Sequence, residues 1–283
     1  MIQPVKINST DVFPIGIGTY NIGNHRVDEA REIEVITAGI ASGAQVIDTA
    51  EMYGKGLSER LVGKALQQVD RTSVYLISKV LPENASKKHL AQSLEQSLER
   101  LDVPFLDMYL LHWKSSVSIE ETIDAMEQAK ADGKIRAWGV SNFDTHDLKK
   151  MANLASGNHC MANQVKYNLI DRGIEYDLIP YMQRNKMPLI AYSPIAKGNL
   201  KGLLPSQKQL LQTIANNHQA TIPQILLSWS IRDRQTIAIP KSSNHAHMMD
   251  NIHAAEIQLQ DTELSQINQF FNKPNKKQSL ALW

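Results

Sequence analysis

The feature that most constrains this chain is a regular alternation. Short runs rich in Val, Ile, Leu and Tyr are separated again and again by longer stretches with helical periodicity. The β-like runs fall at residues 14–18, 44–48, 73–79, 106–112, 135–141, 161–166, 188–193 and 236–240, after a small hairpin near residues 5–13. Each is short enough for a strand buried on both faces. The helical patterns between them occupy 28–42, 58–69, 86–101, 118–131, 144–154, 174–186, 209–233 (broken near Pro223) and 246–254. Leu90, Leu94, Leu98 and Leu101 share one face of the third. Gly43 and Gly133 stand where the first and fourth should stop, and Ser118 and Glu121 have capping-box spacing.

Strands and helices in such alternation predict parallel βαβ connections. A doubly wound open sheet would place a Gly-rich turn and a helix directly after its first strand. Here Gly16-Ile17-Gly18-Thr19-Tyr20 lacks the third glycine at that spacing, and no helix follows at once. The α/β expectation is therefore a (β/α)8 TIM barrel with a short N-terminal β-hairpin and a C-terminal extension, residues 1–283 forming one domain. Residues 195–206 read as a loop on the barrel rim, and the sequence leaves the place of Trp283 open.

Composition excludes several function classes. With 283 residues, 42% hydrophobic, 21% charged and a net charge of +1, the chain has core enough for a globular enzyme and no basic stripe for nucleic acid. Its most basic segment, at 273–277, reads as a solvated chain end. No apolar run approaches the ~20 residues that span a bilayer. The N-terminus lacks the pattern of a secretory signal, and a single cysteine, Cys160, excludes an intrachain disulfide. The expected location is the cytoplasm, with no nucleic-acid or membrane partner.

In a barrel of this kind the site lies at the C-terminal ends of the strands. Those ends carry Asp48, Lys79, His112, Ser141-Asn142, Gln164, Tyr192-Ser193 and Lys241-Ser242. Each residue alone has a plainer reading. Asp48 could cap a turn, Lys79 could be an exposed lysine, His112 a hydrogen-bonded core histidine and Tyr53 a surface loop residue. Core filling does not explain so many proton donors and acceptors at one end, because ionisable groups are seldom buried unless paired or functional. His245 and His247 alternate, but no carboxylate or cysteine stands in register with them, so no metal is expected.

Ordered blocks then carry a resemblance. Val46-Ile47-Asp48-Thr49-Ala50-Glu51-Met52-Tyr53-Gly54, running on through Ser58-Glu59 to Gly63 and Leu66, resembles the N-terminal motif of the aldo-keto reductase superfamily. Lys79 at the end of its strand, Leu110-Leu111-His112-Trp113, the block from Gly133 to Asn142, Asn163-Gln164-Val165, Ala191-Tyr192-Ser193-Pro194 and Ile239-Pro240-Lys241-Ser242 match further blocks in order, from Phe13 to about Asn272. The chain looks most like the compact bacterial reductases of the diketogulonate and methylglyoxal type.

The resemblance implies NADPH-dependent reduction of aldehydes and ketones by a tetrad of Asp48, Tyr53, Lys79 and His112. Tyr53 would give the proton, made a better acid by the Lys79 ammonium, which Asp48 would hold in place. His112 would orient the substrate oxygen; its acting as the proton donor stays open. Ser141, Asn142 and Gln164 would fix the nicotinamide carboxamide and Tyr192 would stack on the ring. Ser193 and Pro194 would approach the pyrophosphate, Lys241 and Ser242 the adenosine 2′-phosphate, and Asn251 the adenine. Tyr20 and Trp113 would line the substrate pocket.

One position departs from the family pattern. Where many members place an arginine six residues after the lysine of the Ile-Pro-Lys-Ser motif, this chain has His247. A neutral histidine lacks the permanent, bidentate charge of arginine, so NADH stays open beside NADPH. Short rim loops imply small or flexible carbonyl substrates, such as methylglyoxal or keto-sugars, and the resemblance implies a monomer. The alternative it also implies is a nicotinamide-binding regulatory module with slow turnover.

Overall fold

The computed structural model describes residues 2–24, 27–196 and 202–282. It opens with an antiparallel hairpin of β1 (Val5–Ile7) and β2 (Thr10–Val12). Among the described residues, eight further strands form one parallel sheet in chain order. They are β3 (Ile17–Gly18), β4 (Val46–Asp48), β5 (Tyr75–Val80), β6 (Leu106–Leu111), β7 (Ile135–Ser141), β8 (Asn163–Lys166), β9 (Leu189–Tyr192) and β10 (Thr236–Ala238). A parallel bridge between Ile15 and Ala238 closes the ring. It is carried by the Gly16 N–H on the Ala238 carbonyl at 2.8 Å, the Ala238 N–H on Pro14 at 2.9 Å and the Gly18 N–H on Pro240 at 3.0 Å. The sheet is thus the expected (β/α)8 barrel. The first strand, expected over residues 14–18, keeps ladder geometry only at its end and meets β10 through single bonds at its start.

The twofold period of a strand explains what fills the barrel. Val46, Tyr75, Ile77, Met108, Leu110, Ala137, Ala162, Ile190 and Ile237 form an inner cluster. Val5, Ile7 and Val12 of the hairpin join it and close the N-terminal end. The alternate residues Ile47, Leu76, Val80, Tyr109, Leu111, Trp138 and Val140 belong to the layer between sheet and helices. Counting two residues onward along the inner column leads from Val46 to Asp48, from Ile77 to Lys79 and from Leu110 to His112. It also leads from Ala162 to Gln164 and from Ile190 to Tyr192. The polar residues at the barrel's mouth continue the register of its apolar core.

The helices are α1 (Glu29–Ala41), α2 (Leu57–Leu66), α3 (Lys87–Leu101), α4 (Ile119–Ala131), α5 (Thr145–Ala152), α6 (Leu178–Arg184), α7 (Pro205–Asn217), α8 (Ile222–Ser230), α9 (His245–His253) and α10 (Asp261–Phe270). Gly43 and Gly133 follow α1 and α4 with φ of +106° and +72°, the left-handed turn that glycine adopts without penalty. Ser118 accepts from the Glu121 N–H at 3.2 Å, but only half of the expected box forms, because the Glu121 carboxylate takes the Lys87 N–H instead.

The expected helix over 209–233 is two helices. Pro223 sits in the first turn of α8, where its missing N–H leaves no bond unmade, and α7 starts earlier, at Pro205. The expected helix from residue 174 begins as a separate short turn, Gly173–Glu175, before α6. The C-terminal extension contains α10, which the sequence did not reveal. Of the rim loop expected at 195–206, residues 197–201 lie outside the described residues, as does Trp283. No helix of the described residues is long and apolar enough to cross a membrane.

Candidate active site

Asp48, Tyr53 and Lys79 meet at the mouth of the barrel. Asp48 ends β4, Lys79 lies one residue before the end of β5, and Tyr53 opens a tight turn, Tyr53–Gly56, with its N–H donating to the Ala50 carbonyl at 3.0 Å. The Lys79 ammonium donates to Asp48 Oδ2 at 2.8 Å, to the Thr49 carbonyl at 2.8 Å and to the Tyr53 hydroxyl oxygen at 3.0 Å. The lysine is fully buried, and all of its donors have an acceptor. A buried ammonium survives only with such partners. The other Asp48 oxygen accepts from the Gln164 amide at 2.7 Å, so the carboxylate is gripped on both sides.

Burial governs the protonation of this group. It raises the Tyr53 phenol well above its ordinary pKa, with the Asp48 carboxylate and then Tyr20 adding to the rise. This rise belongs to the resting phenol; the stabilisation expected of Lys79 concerns the phenolate that develops as the proton leaves. In the free site the proton is held firmly, and lysine acts on the charge that appears when the proton leaves. Burial lowers the Lys79 pKa, opposed by Asp48 and Glu59. It takes His112 down to about 2, helped by the Lys79 charge, so its imidazole is neutral at ordinary pH. His112 Nδ1 is buried and has no hydrogen-bond partner, which favours placing the single ring proton on Nε2.

The aromatic residues pack around the phenol. Tyr20 meets Tyr53 edge-on at 5.3 Å and His112 does so at 5.8 Å, while Trp113 tilts against His112 at 4.6 Å. An open cavity of about 380 Å³ runs from Asp48, Tyr53 and Tyr20 past Tyr192, Ser193, Pro194 and Ile195 to Pro240 and Lys241. His112 and Trp113 are not among its walls; Asn21, Gly18 and Ile239 are, and sequence reading did not single these out.

Ser141, Asn142 and Gln164 lie behind the cavity and are tied to one another. The Tyr192 hydroxyl donates to Asn142 Oδ1 at 3.0 Å, and the Asn142 amide donates to the His112 carbonyl and to Ser141 Oγ, each at 3.1 Å. Ser141 in turn donates to the Gln164 carbonyl at 2.9 Å. Asn142 has a φ of +60°, a backbone conformation that asparagine tolerates better than most residues.

At the far end Lys241 donates to Ser243 Oγ at 2.5 Å, and Ser243 donates to Glu32 Oε1 at 3.1 Å. Ser242 turns inward to the Asn244 carbonyl at 2.9 Å, and Asn244 caps α9 by accepting the His247 N–H at 3.1 Å. His247 is exposed on that first turn and Asn251 is buried further along the helix.

These donors suit a nicotinamide dinucleotide in kind. A phenol held by a lysine stands at one end of the cleft, a flat tyrosine in its wall, and a cation and a helix N-terminus for phosphate at the other end. Glu32, Ser243 and the hydroxyls of Thr19 and Ser58, which bond to each other at 2.8 Å, were given no role in the sequence. Nothing distinguishes a buried glutamate in α1 from its exposed neighbours Glu29 and Glu34 before the fold is known.

Comparison with known proteins gives a consistent result. The profile of the aldo/keto reductase family matches residues 14–272. The methylglyoxal reductase YeaE of Escherichia coli is 42% identical over 270 residues, covering 95% of this chain and 94% of that protein. A glyoxal reductase of Bacillus subtilis is 31% identical over 267 residues, covering 93% and 91%. The crystal structure of an aldo/keto reductase from Klebsiella pneumoniae in complex with NADP and acetate superposes with a TM-score of 0.96, at 41% identity over the whole of both chains.

Proposed function

The chain belongs to the aldo/keto reductase family, and from that premise we propose that it reduces small carbonyl compounds, α-oxoaldehydes such as methylglyoxal foremost, with NADPH as reductant and Tyr53 as proton donor. The observation that carries the reading is the Lys79 ammonium bonded at once to Asp48 and to the Tyr53 oxygen. The bound nicotinamide supplies the hydride that no side chain can.

Everything else falls to the chain's own residues. Carbonyl reduction leaves a negative charge on oxygen, and the Tyr53 O–H bond breaks to give that oxygen a proton. The pair of electrons left on Tyr53 makes a phenolate 3.0 Å from the Lys79 ammonium. In a buried site this attraction is strong and, with lysine already in position, needs little reorganisation. The raised resting pKa of Tyr53 keeps the proton in place until substrate arrives. His112 has no imidazolium proton to give near neutral pH, with its pKa pushed to about 2, which supports Tyr53 over His112 as the acid. A neutral His112 keeps one N–H with which to orient the carbonyl oxygen.

The cleft walls support the rest of the assignment. Tyr192, braced by Asn142, would offer its face to the nicotinamide, with Ser141, Asn142 and Gln164 beside the carboxamide. Ser193 and Pro194 would lie along the pyrophosphate, Lys241 and Ser242 near the 2′-phosphate, and His247 and Asn251 on α9 toward the adenosine. The modest, open cavity and the names of the bacterial relatives support a small substrate. Closure of the sheet between Ile15 and Ala238 and the buried Cys160 support a monomer working in the cytoplasm.

The test is oxidation of NADPH, and separately NADH, with methylglyoxal and a short aldehyde panel, comparing wild type with Tyr53→Phe. Loss of the positioned acid should lower kcat by about 10²–10⁴-fold while cofactor binding is retained. Cofactor binding without turnover above Tyr53→Phe on any carbonyl would replace the reductase reading with that of a nicotinamide-binding regulatory module.

A further inference from the structure

A buried carboxylate stands beside the cation at the far end of the cleft. Glu32, on α1, is 1% exposed. The Gly23 N–H fixes its Oε2 at 2.8 Å, and its Oε1 accepts from the Ser243 hydroxyl. Ser243 has one proton to give and gives it to Glu32, so its oxygen is free to accept from Lys241 at 2.5 Å. The three side chains form an ordered relay from ammonium to hydroxyl to carboxylate. Glu32 is also the charged group acting on Lys241 electrostatically. The cation facing the cleft is therefore partly neutralised from behind, and the arginine that would add a second charge is replaced by His247.

Resting on the reading that the cleft holds a nicotinamide dinucleotide, we infer that Glu32 is a specificity-determining residue that weakens the preference for a 2′-phosphate over a 2′-hydroxyl through Ser243 and Lys241. A phosphate at this position must draw Lys241 away from Ser243 and accept a fixed negative charge close by. A ribose hydroxyl asks for neither: Lys241 stays in its relay, and the local charge remains balanced. A carboxylate near this position is the usual protein device for favouring the unphosphorylated ribose, whereas a guanidinium favours the phosphate. This chain combines the carboxylate with a lysine and lacks the guanidinium.

Equilibrium titration of NADPH and of NADH into the intact protein, followed by quenching of its intrinsic fluorescence, tests this without recourse to turnover. Glu32→Gln keeps an oxygen for the Gly23 amide, turns its NH2 toward the Ser243 oxygen and removes the charge. It should tighten NADPH by about five- to tenfold and leave NADH within about twofold of wild type. Ser243→Ala cuts the relay but leaves the charge, and should shift the same ratio in the same direction by about twofold. The second variant keeps the question answerable if Glu32→Gln fails to fold. A Glu32 that only anchors α1 to the residue 23 turn would move both dissociation constants together; an unchanged ratio in both variants overturns the inference. Wild type that binds neither cofactor overturns the cofactor reading itself, and this inference with it.

Discussion

The two ends of this barrel are built on one inward-facing register and put it to opposite uses. At the N-terminal end the column is apolar from strand to strand, and the hairpin residues Val5, Ile7 and Val12 close it. At the C-terminal end the same column continues as Asp48, Lys79, His112 and Gln164, all buried, with Lys79 and Asp48 at 0% and 1% exposure. Burial of the first kind stabilises the fold. Burial of the second kind carries a desolvation penalty that the Lys79–Asp48 contact and its hydrogen bonds must offset. The lesson is that position along a strand, rather than residue type or degree of burial, separates what holds the barrel from what it can do.

The comparison can be broken most sharply at Lys79. Replacing it with Met leaves the Asp48 carboxylate buried without its counter-charge, and should cost about 3–5 kcal/mol in stability as well as nearly all activity. Urea unfolding measured beside turnover checks both, and a stable, active Lys79→Met would end the claim that one contact serves both ends of the argument. At the opposite end, Ile7→Ala should cost about 2–4 kcal/mol by opening a cavity under the barrel. Its kcat at 25 °C should stay within about twofold of wild type, since the affected packing lies at the far end from the chemistry.

A pH series sharpens the contrast. With His112 at a folded pKa of about 2 against 6.5 when unfolded, only the unfolded chain takes up this proton as pH falls below 6.5. Stability should fall there by about 1.4 kcal/mol per pH unit on account of this one group. His112→Asn removes the difference, so its stability curve below pH 6.5 should be flatter than wild type by about that slope. Equal slopes would mean that the imidazole is charged in the folded protein.

The smallest effect probes the rim itself. Ser118→Ala removes a cap from α4 on the same end as the site and should cost about 1 kcal/mol with no change in KM or kcat. A kinetic effect would show that the rim's scaffold and its chemistry are less separable than the barrel suggests.

Much of this was legible in the sequence because a two-sided buried strand and an amphipathic helix leave distinct patterns. Asp48, Lys79 and His112 stood out because polar residues at the ends of apolar runs have few structural explanations, whereas Tyr53, on a turn, was singled out by the motif alone. What escaped depended on contacts distant in the chain. The helix Asp261–Phe270 carries few apolar residues, of which Ile267 is buried, and is held by Glu263 paired with His218 at 2.8 Å, neither of which advertises the other. Glu32 and Ser243, which lie 211 residues apart, become meaningful only when α1 and the approach to α9 meet. The raised resting pKa of Tyr53 escaped for a related reason: motif reading supplies neighbours, but only the fold supplies the loss of water.

The seam between residues 14–18 and 238–240 carries a consequence in time. A chain made from its N-terminus cannot form the bonds from Gly16 to Ala238 or from Gly18 to Pro240 until nearly all of it has left the ribosome. Until then β3 and β9 are open edges, each offering unpaired backbone groups to any neighbouring chain. Gly18, Ile239, Pro240 and Lys241 all line the cleft, so the cleft spans this last joint. A nascent chain therefore carries Asp48, Tyr53, Lys79 and His112 early, but it acquires a complete cleft only at the moment its exposed edges disappear.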